Sequence, residues 1–420
     1  MENVLKRGLT VWDRSLLPQD EYHERVRAVR EAMAHAGLDV LVAIGDSVRP
    51  GNFAYLSGYV PPLRWMGVVL GAEAEPVLVS GGGAREVPFV RTQTWLEDLR
   101  TSASLFTGPA EVVSAVVSEI AAVGLRVGVA GAQCLEPAAE RELRGALSGH
   151  RLQAADGMLE RVRARKRPRE VVALSRSLEV ARAAARAARE AWIDGATNRE
   201  ALLAAERVAR SGGCRDVRVL GNLHGEALSP VERPGGRRLG SLACVCAVER
   251  LGYWSQAAAV AGAPPAGAAG SVGGVTGAVR AMAQAVRPGA RAGDVAEAAL
   301  ALLEPDARAT AISYGLGAGI GLDPVEGPVI EPGSDDELVE GTVLALRALA
   351  VEDGRLCCAA QTIRVAAEGP EPLSAGGPLS DEVQQRDAAA ARGAAAEGAA
   401  ARGGLAVRAQ SAVAGRTDSP

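Results

Sequence analysis

AISYGLGAGIGLDPVEGPVI, residues 311–330, holds glycines at positions 315, 317, 319 and 321. A glycine inside a strand weakens it and usually marks the close approach of a ligand or of another backbone. Glycine at every second position therefore predicts an active-site strand pressed against something. The side chains between the glycines contribute little chemistry, since Ala318 and Val325 are apolar. Tyr314 and Glu326 are the candidate proton carriers of the stretch. The scaffold of a working site is present, with few of the residues that would do the work.

On the C-terminal side, GTVLALRAL (341–349) and GRLCCAAQTIRVA (354–366) read as a pair of strands. On the N-terminal side, 273–286 and 293–304 are amphipathic at helical period and are separated by Pro288 and Gly289. Before them come the strand-like runs VRVLGNL (217–223), SLACVCAV (241–248) and GYWSQAAAV (252–260). These follow an alanine-rich helix over 171–192 and a second over 198–211, with Gly195 and Thr197 as stop and cap. Helix pair then strands, twice over, predicts a domain of two similar halves.

Upstream lies a first helix, 19–37, with Tyr22, Val26, Val29 and Met33 on one face and Gly37 as its stop. LDVLVAIG (38–45), NFAYLSGY (52–59), WMGVVLGA (65–72) and EPVLVSGG (75–82) follow as short apolar runs that read as strands. Helix-like segments at 109–123 and 137–147 alternate with RVGVAGA (126–132) and RLQAADG (151–157), giving an α/β domain. The basic run RVRARKRPRE (161–170) reads as a solvated linker leading into a helix.

In this order the glycine stretch resembles the GHGIGL and HE.P block of the creatinase, aminopeptidase P and prolidase family, with Ala318 and Val325 at its two histidine places. YLSGY (55–59) is similar to a signature of that family's first domain, and the Arg, Lys, Pro and Glu of 165–170 resemble its linker. The resemblance covers about residues 20–375. It implies an α/β class, with an N-terminal creatinase-type α/β domain over 1–157 and a pita-bread domain over 158–379, the implied partners being a second copy of the chain and a small molecule. It also implies two divalent ions held between the sheets by carboxylates and a histidine, which two-metal hydrolysis requires about 3.5–4 Å apart.

The ligand places that the resemblance assigns are all changed. Cys246 falls at the first Asp, Gln256 at the second, Ala318 at the histidine, Arg347 at a Glu, and Ala360 or Gln361 at the last Glu. All four histidines, His23, His35, His150 and His224, precede residue 225, so the second half of the domain has none. The expectation is a member without metal or other cofactor. It is either a metal-independent enzyme acting on a small anionic, amino-acid-like or amide substrate, or an inactive scaffold that binds a ligand or protein. In the first case His224, Glu326 and Tyr314 would move protons, while Arg347, Arg64, Gln256, Cys246 and Ala318 would line the substrate site. A lone histidine such as His224 is more often a structural hydrogen-bonder, although an imidazole is suited to acid/base work. Arg347 offers a planar fork for a carboxylate or phosphate, unless Glu326 or Asp323 neutralises it internally. Arg64 resembles the creatinase arginine that reaches a partner subunit's pocket, and equally fits an exposed loop.

The bulk numbers agree with this class. A net charge of −4 over 420 residues predicts no polyanion-binding surface, and so no nucleic acid partner. No run approaches the ~18 apolar residues of a membrane span, and no signal-like segment opens the chain, so the expectation is a cytoplasmic protein without a membrane partner. Six cysteines without regular spacing read as free thiols, with Cys244, Cys246, Cys357 and Cys358 as small buried hydrophobes. Residues 380–420 collapse to Ala, Gly, Arg and Glu and predict a disordered tail.

Overall fold

The computed structural model describes residues 12–61, 65–81, 86–102, 109–225, 227–229, 238–262, 271–352 and 355–374. Arg64 and the 380–420 tail lie outside the described residues. The N-terminal domain is built on strands β1 (Val40–Gly45), β2 (Met66–Gly71), β3 (Val77–Ser80), β4 (Leu99–Thr101), β5 (Arg126–Ala130) and β6 (Arg151–Ala154). They form one mixed sheet in the order β4-β3-β2-β1-β5-β6. Around it lie helices α1 (Gln19–Ala36), α2 (Gly51–Ser57), α3 (Val87–Arg91), α4 (Ala110–Ile120), α5 (Pro137–Ala146) and α6 (Asp156–Ala164). The spacing of Tyr22, Val26, Val29 and Met33 does place them together in the core, and α1 stops at Gly37 in the left-handed conformation.

NFAYLSGY differs from expectation, because its residues form α2 and not a strand. Every residue of α2 is buried, so the segment shows no polar face from which its period could be read. The basic run differs as well. It completes α6 and starts the next helix, and Arg163 and Lys166 are buried instead of solvated.

The second domain opens with α7 (Pro168–Ile193) and α8 (Asn198–Ser211), the latter capped by Thr197 and Glu200 in a reciprocal box. These cover the antiparallel sheet β7-β8-β9 (Asp216–Gly221, Leu242–Arg250, Tyr253–Ala261). Then α9 (Ser271–Ala285), α10 (Ala292–Leu300) and α11 (Pro305–Tyr314) cover a second sheet, ordered β11-β10-β12-β13-β14. Its strands are β10 (Gly317–Gly319), β11 (Glu326–Val329), β12 (Val343–Glu352), β13 (Arg355–Ala366) and β14 (Gly369–Pro372). Helices lie outside and sheets inside: Ala243, Val245, Ala258, Leu349, Leu356, Cys358 and Ala360 pack together between the two sheets. A further core joins the domains, since Tyr22 and Leu56 of the first pack in one cluster with Leu174, Tyr253 and Ile320 of the second.

The glycine stretch is not one strand. Ala311–Tyr314 end α11, Gly315 turns the chain, and only Gly317–Gly319 pair as β10. What presses on its backbone is the protein itself. A Cβ at Gly317, whose φ is 146°, would meet the Ala345 carbonyl of β12 at 2.6 Å.

Candidate functional site

Strand alternation decides which side chains can meet between the sheets. On β12, Leu344, Leu346, Ala348 and Ala350 pack toward the α9–α11 layer, which turns Ala345, Arg347 and Leu349 toward the opposite sheet. Register then sets Ala318 beside Ala345, and Ala360 beside Arg347. On β9, Ala257 and Ala259 pack against α7 and α8, so Gln256 and Ala258 face inward. Four of the residues singled out in the sequence, Arg347, Gln256, Ala318 and Tyr314, are thereby brought together.

The Arg347 guanidinium is half-buried and held by neutral acceptors. Its Nε donates to the Gly315 carbonyl at 3.0 Å, Nη2 to the Tyr314 carbonyl at 2.9 Å, and Nη1 to Gln256 Oε1 at 3.3 Å. Gln256 Nε2 in turn donates to the Ala345 carbonyl at 3.4 Å. Gly315 is required here: its φ is 78°, and a Cβ would sit 3.1 Å from Arg347 Nη2. Arg347 makes no ion pair with any described carboxylate, and burial alone lowers its pKa. A guanidinium has five N–H donors. Three are used, so one N–H on each Nη is left without a partner among the described residues.

Cys246 does not belong to this group. It packs with Cys244 against α7 and α8, and the inward residue on β8 is its neighbour Val245. A one-residue slip in register exchanges the two faces of a strand. Cys358 faces inward and Cys357 outward, so the four thiols share no common site. Burial pushes the Cys358 thiol well above its ordinary range. His224 is exposed in the loop after β7. Tyr314 contributes its carbonyl to Arg347, and its hydroxyl accepts from the Leu228 amide at 3.2 Å.

Glu326 and Asp323, the internal partners considered for Arg347, are engaged elsewhere. Arg163 Nη2 reaches Glu326 Oε1 at 2.6 Å and Asp323 Oδ2 at 2.7 Å, and Lys166 Nζ reaches Glu326 Oε2 at 2.6 Å. Asn52 and the Gly51 amide of α2 complete the cluster, at 2.7 Å to Arg163 and 2.9 Å to Asp323. Any Cβ at Gly51 would overlap the Arg163 and Asp323 side chains. Burial opposes ionisation of Glu326, but the charges of Lys166 and Arg163 outweigh it and lower its pKa to about 2. A carboxylate so held is a poor proton carrier near neutral pH. Sequence reading missed Arg163 and Lys166 as members of this cluster. The signal was the charge balance: two retained acids beside an apolar stretch need cations, and the basic run supplies them.

A model of the metallopeptidase family M24 matches residues 172–365, and one of the creatinase/prolidase N-terminal domain matches residues 25–165. No curated protein matches the chain by sequence. Among solved structures, the prolidase of Pyrococcus horikoshii OT3 superposes with a TM-score of 0.69 at 17% identity, covering 84% of this chain and 98% of its own. Dipeptidase PepE of Mycobacterium ulcerans gives 0.68 at 20% identity, over 87% of this chain and 98% of its own. The N-terminal domain of the FACT complex subunit SPT16 from chickpea, Cicer arietinum, gives 0.66 at 15% identity, over 86% and 97%. Fold and matches together define a two-domain protein, a creatinase-type α/β domain followed by a pita-bread domain. The chain belongs to the creatinase, aminopeptidase P and prolidase family.

The residues between its sheets do not fit the divalent ions that a metallopeptidase uses. The inward set at this point is a guanidinium, a carboxamide, the Thr362 hydroxyl and the hydrocarbon side chains of Val245, Ala318 and Ala360. A fixed positive charge repels a cation, and a carboxamide cannot bridge two ions as a carboxylate does. Among the described residues no three His, Cys, Asp or Glu side chains are grouped to hold a metal ion. No described helix is long and apolar enough to cross a membrane.

Proposed function

We propose that this protein binds a small carboxylate between the sheets of its pita-bread domain, as a scaffold and not as a hydrolase. The observation that carries the reading is Arg347, a half-buried cation whose described partners are all neutral. A buried charge is costly unless an opposite charge accompanies it. An anionic ligand meeting the two remaining N–H groups would supply that charge in the bidentate geometry that arginine favours. The hydrolase reading needs a proton carrier beside Arg347, and Glu326 is committed to Arg163 and Lys166. Prolidases and a FACT complex subunit share the fold, so the fold alone does not select the activity.

The test is a thermal-shift screen with carboxylates, amides and peptides on the parent protein, Arg347→Ala and Arg347→Lys. A ligand that binds only the folded state raises the midpoint by mass action. The expected result is a shift for carboxylates that disappears in Arg347→Ala and recovers poorly in Arg347→Lys, which lacks the fork. A full response in Arg347→Ala would remove the reading, and turnover of a peptide or amide by the purified protein would replace it with the hydrolase.

A further inference from the structure

Resting on the carboxylate-binding reading, we infer that the ligand is a monocarboxylate whose other end is uncharged, such as a hydroxy acid or an N-acylated amino acid, and not a zwitterionic amino acid or peptide. The argument is the charge balance of the inter-sheet face. Arg347 brings one positive charge, and the inward-facing residues around it, Val245, Gln256, Ala258, Ala318 and Ala360, bring none of either sign. A carboxylate brings this face to neutrality. A ligand ammonium would add a second positive charge to a half-buried site whose described residues offer it no acid. The retained acids Asp323 and Glu326 are engaged by Arg163 and Lys166.

Gln256 is the residue that keeps this balance. It stands where a carboxylate of nearly the same shape would pair with Arg347 at 3.3 Å and cancel it. As a neutral amide it accepts from Nη1 and, by donating to the Ala345 carbonyl, is itself fixed in orientation. It positions the guanidinium without discharging it. Gln256→Glu therefore creates an internal counter-ion that competes with the ligand.

Two matched pairs test the inference: lactate against alanine, and N-acetylproline against glycylproline. The members of each pair carry the same carboxylate and differ chiefly by the ammonium. By thermal shift and calorimetric titration of the full chain, lactate and N-acetylproline should bind at least about tenfold more tightly than their ammonium-bearing counterparts. Gln256→Glu should melt higher than the parent without ligand and lose the response to both. Equal binding of the two members of each pair, lost together in Arg347→Ala, would overturn the charge selection while leaving carboxylate binding in place. Binding that persists in Arg347→Ala, or no binding by any of the four compounds, would overturn both. A Gln256→Glu variant that folds and still responds fully would show that Gln256 does not keep Arg347 available.

Discussion

Two arginines grip the glycine-rich stretch, one at each end, and they are satisfied in opposite ways. Arg347 holds its beginning through the carbonyls of Tyr314 and Gly315. Arg163 holds its end through the carboxylates of Asp323 and Glu326. Arg163 is part of a closed account, in which two cations meet two anions and the linker, α2 and β11 are tied into one unit. Among the described residues Arg347 has neutral acceptors only. Arg163 is buried and Arg347 half-buried, and the counter-ion distinguishes a structural arginine from one available to a ligand.

The comparison is sharpened most by removing the anions from the closed cluster. Glu326→Ala would leave Lys166 and part of Arg163 buried without a partner, and should destabilise the protein by about 3–5 kcal/mol. Urea unfolding measures this, and a loss under 1 kcal/mol would show that the cluster does not hold the domains together. Acid should reproduce the effect in part. Glu326 titrates at about 2 when folded, against an ordinary value of 4.5, so its contribution is fully present above pH 4.5. It is lost as pH falls from there toward 2, for about 3 kcal/mol at most. Asp323, which burial raises, works in the opposite sense and trims that loss. A Glu326→Gln variant should show a shallower decline in stability over the same pH range, and an unchanged profile would break the assignment.

At the other end the expected effects on stability are smaller. Gly315→Ala forces a methyl group into a backbone conformation that favours glycine and against the guanidinium, for about 1–3 kcal/mol. It should also weaken the carboxylate response, because the guanidinium is displaced. Arg347→Ala should change the stability of the ligand-free protein by about 1 kcal/mol or less, since lost hydrogen bonds to neutral acceptors are offset by relief of a buried charge. A loss as large as that of Glu326→Ala would mean that Arg347 is as structural as Arg163, and the contrast between the two would collapse.

The periodic segments were legible in the chain alone. The apolar face of α1 and its stop at Gly37, the cap of α8 at Thr197, and the two rounds of helices and strands are local properties, written in residue spacing and capping chemistry. So was the family resemblance, which depends on short motifs in order. What local chemistry does not specify is which distant group meets which. The part of NFAYLSGY that forms α2 is buried on all sides, so its sequence lacks the polar face that would mark a helix, and packing in the first domain decides the matter. Cys246 and Val245 differ only in which side of β8 they occupy, and the register against β9 and the α7–α8 layer settles that. The pairing of Arg163 with Glu326 spans more than 160 residues, and the burial of both follows from the docking of the two domains. Because a charge is neutralised by whatever the fold brings within a few ångströms, only the tertiary structure decided that acids close Arg163 and that no described acid closes Arg347.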